Sequence, residues 1–467
     1  MVKVNAQAVS ARINVISLAP ALVRIDLELP TPTNVLSFPN VYAGVLGLGE
    51  RIEKAEAIGA SGGTVSLKKL APGEFQSTEK FRRFSYVVNL SEPARPAQMS
   101  HVSWLNREQG LLMLADLFPQ SSQGSEAFSA VSIQLDIPSG WAARSNVKEE
   151  GAQQYSTAEP AQAVFLIGPA LQVKSDRMAS INFSIITSGQ WPFSDAAAAK
   201  LVGKILEEYS KVTGFTLKSD AVLMLIPFPA EAGPDRWSAE TRGNDVVLLL
   251  GRRASGNRVL ATLGIVLAHE LFHLWVPNSL KLTGDYDWFF EGFTLYEALR
   301  MDLRLGFISF DDYLNTMARV YDSYLSAAER DKLSLIEASQ RRWTTSSAVV
   351  YDKGMLAAFV YDLMLRNGGK CKASLDDVYR QLFRLYSTGQ GSANEIIISL
   401  LGEHEGLHSF GQDYVLSAGK FNLGSVLSLY GLRIEQGAPG ARATRLAVAS
   451  DISKPQRELL RCLRYEN

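Results

Sequence analysis

Two histidines four positions apart, with a glutamate directly after the first, are the residues of this chain whose types and spacing most clearly suggest chemistry. His269, Glu270 and His273 lie within residues 259–275, where apolar residues recur at helical spacing without an internal proline. Residues four apart lie one above the other on a helix, so both imidazoles are spaced to bind a single cation. Glu270 lies about 100° around the helix from His269, close enough to reach a water at that cation. The pattern therefore predicts a site for one Zn²⁺ ion per chain.

A zinc ion held by two imidazoles needs a third protein ligand, and catalysis needs the fourth position left to water. Glu291 lies in the apolar run 288–299, which predicts a second helix, and a buried carboxylate is costly unless it is paired or metal-bound. Glu291 is therefore the predicted third ligand. Asp285 or Asp287 could orient a ligand imidazole, and each also fits a plain loop. The alternative is that the histidine pair occurs by chance on a buried helix.

The same five-residue pattern occurs a second time, at 404–408. This copy contains Gly406, follows Gly402, and has no glutamate in an apolar helix shortly after it. A glycine inside the pattern disfavours a helix, so a solvated loop is the better interpretation. The pattern alone is thus not enough to identify a metal site.

Composition excludes several classes of protein. The 467 residues include 47 basic and 48 acidic side chains, a balance that does not favour nucleic acid or an anionic membrane as a partner. No apolar run is long enough to predict a transmembrane helix. Cys371 and Cys462 are too few for a disulfide framework and lack metal-ligand spacing. A soluble protein is expected, either cytoplasmic or exported by a signal absent from this sequence, and the oligomeric state stays open.

The pattern of apolar residues along the sequence predicts an α+β fold of several domains. Residues 1–190 contain short, often alternating apolar segments bounded by Pro, Gly or Ser, which predict an antiparallel β domain. Residues 191–420 combine buried strands at 221–226 and 246–250 with the metal helix and further helices, and form the predicted catalytic domain. Residues 421–467 are a short C-terminal segment. The predicted strands of the first domain are 12–16, 22–29, 84–90, 110–115, 130–137, 163–167 and 180–186, and the clearest predicted helices are 313–325, 348–365 and 375–385.

Several blocks of sequence together resemble the gluzincin zinc metallopeptidases. They are His-Glu-Leu-Phe-His-Leu-Trp at 269–275, Trp-Phe-Phe-Glu-Gly-Phe-Thr at 288–294 and Tyr-Asp-Lys-Gly at 351–354, followed by Gly-Gly-Lys at 368–370 and Ser-Leu-Asp-Asp at 374–377. The order and content of the blocks are similar to the glycyl aminopeptidase family, which is related to the aminopeptidase N family. The resemblance is specific over about 265–385, and it implies a thermolysin-like catalytic domain with an α/β lobe and a helical lobe.

Matched position by position, the resemblance implies a role for each residue of the site. His269, His273 and Glu291 would bind zinc, and Glu270 would be the general base and then the proton donor to the leaving amine. Tyr351 would stabilise the oxyanion of the tetrahedral intermediate. Without the resemblance, Tyr351 is simply a core tyrosine on an apolar helix. The implied activity is that of an aminopeptidase acting on short peptides.

The sequence departs from the family pattern in three places. Where the family carries a glycine-containing loop whose glutamate binds the substrate's α-amine, residues 238–242 read Ser-Ala-Glu-Thr-Arg, so only Glu240 matches. Between His273 and Glu291 there are 17 residues, one fewer than the 18 usual in the aminopeptidase N branch. Because only residues 421–467 follow the predicted catalytic domain, the PDZ-like domain of many glycyl aminopeptidases is not expected. An endopeptidase without amine recognition, and a catalytically silent binding protein with the same fold, stay open as alternatives.

Overall fold

The chain forms two compact units in the computed structural model, which describes residues 9–59, 62–120, 130–228, 233, 236–251, 256–343, 347–435 and 444–465. The first, called the sheet unit, comprises Met1–Asp176, Asn182–Asp195 and Asp220–Gly256. The second, called the helical unit, comprises Arg177–Ile181, Ala196–Ser219 and Asn257–Asn467. The predicted α+β organisation, a large sheet region followed by a mainly helical region, is confirmed.

Among the residues that the structure describes, the sheet unit contains most of the strands, one short α-helix and three short 3-10 helices. Its elements are β1 (Val9–Leu18), β2 (Ala21–Ser37), β3 (Val41–Tyr42), β4 (Val45–Leu46), β5 (Ile52–Gly59), β6 (Thr64–Val65), β7 (Lys68–Ala71), β8 (Glu74–Asn89), β9 (Trp104–Leu105), β10 (Gly110–Met113), α1 (Leu114–Leu117), β11 (Val131–Asp136), β12 (Ala142–Arg144), β13 (Lys148–Gly151), β14 (Gln154–Thr157), β15 (Val164–Gly168), β16 (Leu171–Met178), β17 (Ile181–Ser188), β18 (Ala221–Pro227), β19 (Trp237–Arg242) and β20 (Asp245–Leu250).

Three sheets account for nearly all of these strands. The largest has the order β13-β14-β11-β1-β2-β8-β5-β6, with β7 also paired to β8. Its pairing is antiparallel apart from the parallel pair of β1 and β11. The second has the order β12-β15-β10-β9, and the third β16-β17-β18-β20-β19. In the third sheet β17, β18 and β20 run parallel, and β19 is an antiparallel edge strand.

Alternating side chains explain why the long strands form. From Ala21 to Leu29 every second residue of β2 is buried, so one face of the sheet joins the core while the other stays more exposed. Ile13 on β1 and Phe84 on β8, the two strands that flank β2, belong to the same core. A second core joins the four-stranded sheet to the five-stranded one through residues such as Trp104. Each fully buried side chain of this size contributes roughly 1.5–3 kcal/mol to the free energy of unfolding.

The helical unit consists mainly of helices, and it also contains two short two-stranded sheets among its described residues. Its elements are α2 (Asp195–Thr213), α3 (Gly256–Phe272), β21 (Lys281–Thr283), a π-helical segment (Trp288–Phe293), α4 (Thr294–Leu305), α5 (Phe310–Ser326), α6 (Leu335–Gln340), a second π-helical segment (Val349–Lys353), α7 (Gly354–Gly368), α8 (Leu375–Tyr386), β22 (Gln390–Ser392), α9 (Ala393–Gly402), a third π-helical segment (Gly411–Leu416), α10 (Leu423–Leu429), β23 (Leu432–Glu435), β24 (Arg445–Val448) and α11 (Lys454–Cys462).

Helix α3 carries His269 and ends directly before His273, and α2 packs against it. The ring of Tyr209 on α2 packs against Phe272, with centroids 4.7 Å apart, and against Trp275, with centroids 5.8 Å apart. The Tyr209 hydroxyl donates a hydrogen bond to the carbonyl of Ala268. Trp275 Nε1 donates to the carbonyl of Phe215 at 2.9 Å. These contacts fix both the rotation of α3 and the direction in which the chain leaves it.

A buried ionic cluster fixes α4 against α7 and α8. Arg300 lies 2.6 Å from Glu297, 2.6 Å from Asp376 and 3.5 Å from Asp362, and Arg366 lies 2.8 Å from Asp362. Burial raises the pKa of Glu297 to about 7, although the charge of Arg300 opposes this rise. Removing one member of such a cluster would leave a buried charge without its partner. The cluster therefore holds α4 in one position, and α4 continues directly from the segment that carries Glu291.

The two cysteines form one disulfide bond, which their small number did not suggest. Cys371 follows α7 and Cys462 ends α11, and their Cα atoms lie 6.2 Å apart. The bond ties α11 to the segment that follows α7. In the part of the chain that the structure describes, no helix has the length and apolar character needed to cross a membrane.

Candidate metal centre

Three side chains from two separate elements converge at the C-terminal end of α3. The Nε2 atoms of His269 and His273 lie 3.1 Å apart, and Glu291 Oε2 lies 3.5 Å from the first and 3.6 Å from the second. The potential ligand atoms of the three residues all lie within 4.8 Å of one another, the arrangement expected of groups that hold one ion. Two imidazoles and a carboxylate are a donor set used by catalytic zinc sites, so the residues present fit Zn²⁺.

The two imidazoles differ in how the backbone orients them. His273 Nδ1 donates a hydrogen bond to the carbonyl of Val276 at 3.0 Å, so in the neutral imidazole the lone pair lies on Nε2. His269 Nδ1 is buried and has no hydrogen-bond partner among the described residues. The orientation of His269 is instead set by its place on α3, one turn before His273.

Asp285 and Asp287, which the sequence offered as partners for a ligand imidazole, make their hydrogen bonds to other residues. Asp287 accepts a hydrogen bond from Arg342 Nη1 at 2.6 Å. The main-chain carbonyl of Asp285 accepts one from the side chain of Asn394 at 3.0 Å. Asp287 therefore holds Arg342, and the backbone of Asp285 holds the side chain of Asn394.

Electrostatics keep the Glu291 carboxylate ionised. Burial alone would raise its pKa, but the positive charge of His273, the hydrogen bonds of both imidazoles and Arg342 hold that pKa well below its usual range. For His273, burial acts against the charged form, and the charges of Glu291 and Glu270 overcome it and raise the pKa to about 8. An imidazole must be neutral to bind a metal, so metal binding here competes with a proton.

Glu270 lies between the two histidines in sequence and is buried, with 5% of its surface exposed. Its negative charge acts on His273 and also on Tyr351, whose pKa it helps to raise.

Glu291, the predicted third ligand, and Tyr351 both lie on π-helical segments, which the sequence did not predict. Glu291 lies in Trp288–Phe293, and Tyr351 lies in Val349–Lys353. The π-helical turn is rare and is found frequently at functional sites, because the extra residue in the turn redirects the side chains around it. Each segment then passes directly into a regular α-helix.

Two glycines allow these segments to cross in direct backbone contact. A Cβ atom on Gly292 would lie 2.6 Å from the Cα of Gly354, and one on Gly354 would lie 2.7 Å from the carbonyl oxygen of Trp288. Real Cβ atoms essentially never approach backbone atoms this closely. The absence of a side chain at both positions is therefore what brings the segment of the third ligand against that of the tyrosine.

Tyr351 is protonated at neutral pH. Burial raises its pKa well above the usual range, the charge of Glu291 adds to the rise, and Arg342 opposes it. The phenolic oxygen accepts a hydrogen bond from Arg342 Nη2 at 2.5 Å, which leaves its own O–H to donate elsewhere. Arg342 could not be predicted from the sequence, because it lies in a polar stretch next to Arg341, which is typical of surface residues.

Glu240, predicted by resemblance to bind the substrate's amine, lies on the edge strand β19 of the sheet unit. Its Oε1 accepts a hydrogen bond from the Tyr42 hydroxyl at 2.5 Å and forms an ion pair with Arg242 at 3.0 Å. Its Oε2 lies 2.5 Å from His101 Nδ1. The carboxylate thus has polar partners on both oxygens, and His101 is one of them.

The second copy of the histidine pattern lies in turns between α9 and the third π-helical segment. Gly406 has a φ of +79°, which an α-helix does not allow. His408 Nδ1 lies 2.7 Å from the carbonyl of Gly402 and is used locally. The structure therefore gives this copy no helical face on which two imidazoles could be stacked.

Comparisons with known proteins agree with this geometry. The model of the M61 glycyl aminopeptidase family matches residues 262–357, the segment that holds all three predicted ligands, Glu270 and Tyr351. A search of curated proteins found no match.

Solved structures of aminopeptidase-like proteins share the fold. The crystal structure of an aminopeptidase N family protein from Idiomarina loihiensis is similar with a TM-score of 0.78 and 19% identity, over 92% of this chain and 80% of that one. An M1 zinc metallopeptidase from Deinococcus radiodurans, solved as a variant bound to a Tyr-Ser-Ala substrate, is similar with a TM-score of 0.53 and 14% identity, over 89% of this chain and 94% of that one. At these identities the likeness shows the fold alone.

Family model and fold together confirm the resemblance found in the sequence. The chain is similar to the gluzincin aminopeptidases, and it is a hydrolase that acts as a peptidase.

Proposed function

We propose that the chain is a zinc-dependent aminopeptidase with a thermolysin-like catalytic domain, which removes N-terminal residues from short peptides. The observation that carries the proposal is the convergence of His269, His273 and Glu291 on one point, inside the segment that matches the glycyl aminopeptidase model. The peptide bound to the Deinococcus radiodurans neighbour supports a peptide as the class of substrate.

Bound at the three ligands, Zn²⁺ would polarise the scissile carbonyl and lower the pKa of a water. Glu270 takes the proton of the attacking water and returns it to the leaving amine. Tyr351, kept protonated by its buried surroundings, donates its O–H to the oxyanion that forms on the former carbonyl oxygen. The backbone contact between Gly292 and Gly354 keeps this donor at a fixed distance from the third ligand.

The test pairs the two histidine patterns of the chain as variant and control. Purified protein is stripped with a chelator, reloaded with zinc, and assayed for bound zinc and for hydrolysis of a panel of aminoacyl anilides. Glu270→Gln is expected to bind one equivalent of zinc and to lose about 10²–10⁴ in kcat, the usual contribution of a general base. Glu405→Gln changes the equivalent residue of the second pattern and is expected to behave as wild type. Absence of stoichiometric zinc, or full activity in Glu270→Gln, would defeat the assignment.

One observation favours a second candidate, an endopeptidase with the same zinc chemistry. The Glu240 carboxylate already has Tyr42, His101 and Arg242 as partners, and an α-amine would have to compete with them. Comparing a peptide with its N-acetylated twin separates the two candidates. An aminopeptidase is expected to cleave the free peptide at its first bond and to leave the acetylated peptide uncut, whereas equal rates on both would establish the endopeptidase.

A further inference from the structure

We propose that Arg342 is a positioning residue of this site, which fixes the orientation of the third metal ligand and of the oxyanion donor together. The inference rests on the proposed function and adds a residue to it. Arg342 Nη2 lies 2.8 Å from Glu291 Oε1 and 2.5 Å from the Tyr351 hydroxyl oxygen. One guanidinium nitrogen therefore bridges the two groups on which metal binding and oxyanion stabilisation depend.

The contact divides the two oxygens of Glu291 between different tasks. Oε2 faces the Nε2 atoms of His269 and His273 at 3.5 and 3.6 Å, whereas Oε1 is occupied by Arg342. A carboxylate held in this way presents one oxygen to a cation and does not rotate to present the other. Groups that hydrogen-bond to ligands in this manner typically change metal affinity or activity by about 10- to 100-fold when they are mutated.

The same contact directs the proton of Tyr351. A phenol has one O–H to donate, and its oxygen accepts from Arg342, so the O–H points away from the guanidinium. The hydroxyl is thereby kept as a donor for a substrate oxygen. Without this partner, Tyr351 could turn its O–H towards the carboxylate of Glu291. It would then donate its hydrogen bond to that carboxylate instead of to the oxyanion.

Arg342 is itself held firmly enough for this role. Its Nη1 donates to Asp287 at 2.6 Å, and 11% of its side chain is exposed. The guanidinium carbon lies 4.3 Å from the ring centroid of Trp343, 5.2 Å from that of Tyr351 and 5.7 Å from that of Phe290. Arginine stacks on aromatic faces and offers several donors in one plane, whereas a lysine ammonium could not reach two acceptors in the same fixed geometry.

The first test measures metal binding, a readout that does not depend on activity. Chelator competition gives the zinc dissociation constant of wild type, Arg342→Met, Arg342→Lys and the control Arg341→Met. Arg341 is the residue before Arg342, and it is exposed. Arg342→Met is expected to bind zinc about 10- to 100-fold more weakly, Arg342→Lys to fall between, and the control to match wild type. Far-ultraviolet circular dichroism and urea unfolding verify the fold, and Arg342→Lys carries the test should Arg342→Met not fold.

The second test measures catalysis at saturating zinc with an aminoacyl anilide, which has no C-terminal carboxylate. Loss of the Tyr351 orientation is expected to lower kcat in Arg342→Met by about 10²–10³, the cost of one oxyanion donor, with KM little changed. In Arg342→Ala, added guanidinium ion is expected to restore part of kcat, and in Arg342→Ala combined with Tyr351→Phe it is expected to restore none.

Two results would overturn the inference. Wild-type zinc affinity and kcat in both Arg342→Met and Arg342→Lys would show that the contact has no role. A rise in KM on peptides but not on anilides, with kcat unchanged, would show that Arg342 binds a substrate carboxylate instead. A wild-type enzyme without zinc or hydrolysis would refute the proposed function, whereas failure of the inference is visible only between wild type and the Arg342 variants.

Discussion

Replacing Gly354 by alanine should separate the two π-helical segments and damage the site without touching any residue that acts in it. The new Cβ would lie 2.7 Å from the carbonyl oxygen of Trp288 and 3.0 Å from the Cα of Gly292. Both obstacles are backbone atoms, so no side-chain rotation relieves them. Carbon atoms pack best at about 3.5–4.0 Å, which requires the segments to move apart by roughly 0.5–1 Å.

The size of the effect follows from that displacement. Overpacking of a tight core contact typically costs about 1–3 kcal/mol, and the higher helix propensity of alanine returns up to about 1 kcal/mol. A misplacement of about 1 Å in a catalytic group can lower the rate by about 10². Gly354→Ala is therefore expected to lose about 1–2 kcal/mol of unfolding free energy and up to about 10² in kcat/KM, because Tyr351 and Glu291 are moved relative to each other.

Gly368 supplies a matched control from the same helix. It ends α7, and a Cβ there would meet no atom within 4 Å. Gly368→Ala is expected to keep wild-type activity and to gain up to about 1 kcal/mol from helix propensity alone. Urea unfolding and anilide hydrolysis are measured for both variants. Equal stability and equal kcat/KM in Gly354→Ala and Gly368→Ala would refute the reasoning, since the close contact would then have no consequence.

Two further predictions concern the stability of the helical unit. Cys462→Ser removes a disulfide that closes a separation of 91 residues, and the chain-entropy model predicts a loss of about 4–5 kcal/mol in the free energy of unfolding, which a reductant should reproduce in wild type but not in the variant. Asp302 is buried in α4, and burial raises its pKa from 3.8 to about 8. Because the pKa of Asp302 is higher in the folded than in the unfolded chain, its protonated carboxyl contributes fully to the free energy of unfolding below about pH 4. That contribution is lost as the pH rises through about 8. Asp302→Asn should therefore reduce the fall of unfolding free energy in that window by up to about 1.4 kcal/mol per pH unit, and unchanged pH profiles would show that Asp302 is ionised in the folded protein.

The sequence predicts best those features that follow from a local period. The alternation in β2 and the helical spacing of His269 and His273 depend on few neighbours, so the strand and the close approach of the two imidazoles could be predicted directly. Strand β13 is fully exposed and carries no apolar alternation, so no pattern in the sequence predicts it. The parallel pairing of β1 with β11 joins residues more than 100 positions apart and likewise has no local signal.

The candidate site divides in the same way between local and distant information. Glu291 could be predicted because a carboxylate in an apolar run needs a partner. Tyr351 was placed by resemblance alone. Arg342 was missed, because its partners Glu291 and Tyr351 are 51 and 9 residues away and an arginine in a polar stretch is ordinarily a surface residue. Tertiary contacts, not the residues beside it, give Arg342 its place.

The glycines of the two motifs explain why the resemblance was informative over such a separation. Gly292 directly follows Glu291, and Gly354 comes three residues after Tyr351. They meet at the crossing of the two π-helical segments, where neither tolerates a side chain. A short motif that pairs a functional residue with a glycine thus encodes a tertiary contact as well as a chemical group. The Glu-Gly and Tyr-x-Lys-Gly patterns are two halves of one packing requirement, and Gly354→Ala tests that requirement while every proposed catalytic side chain stays in the sequence.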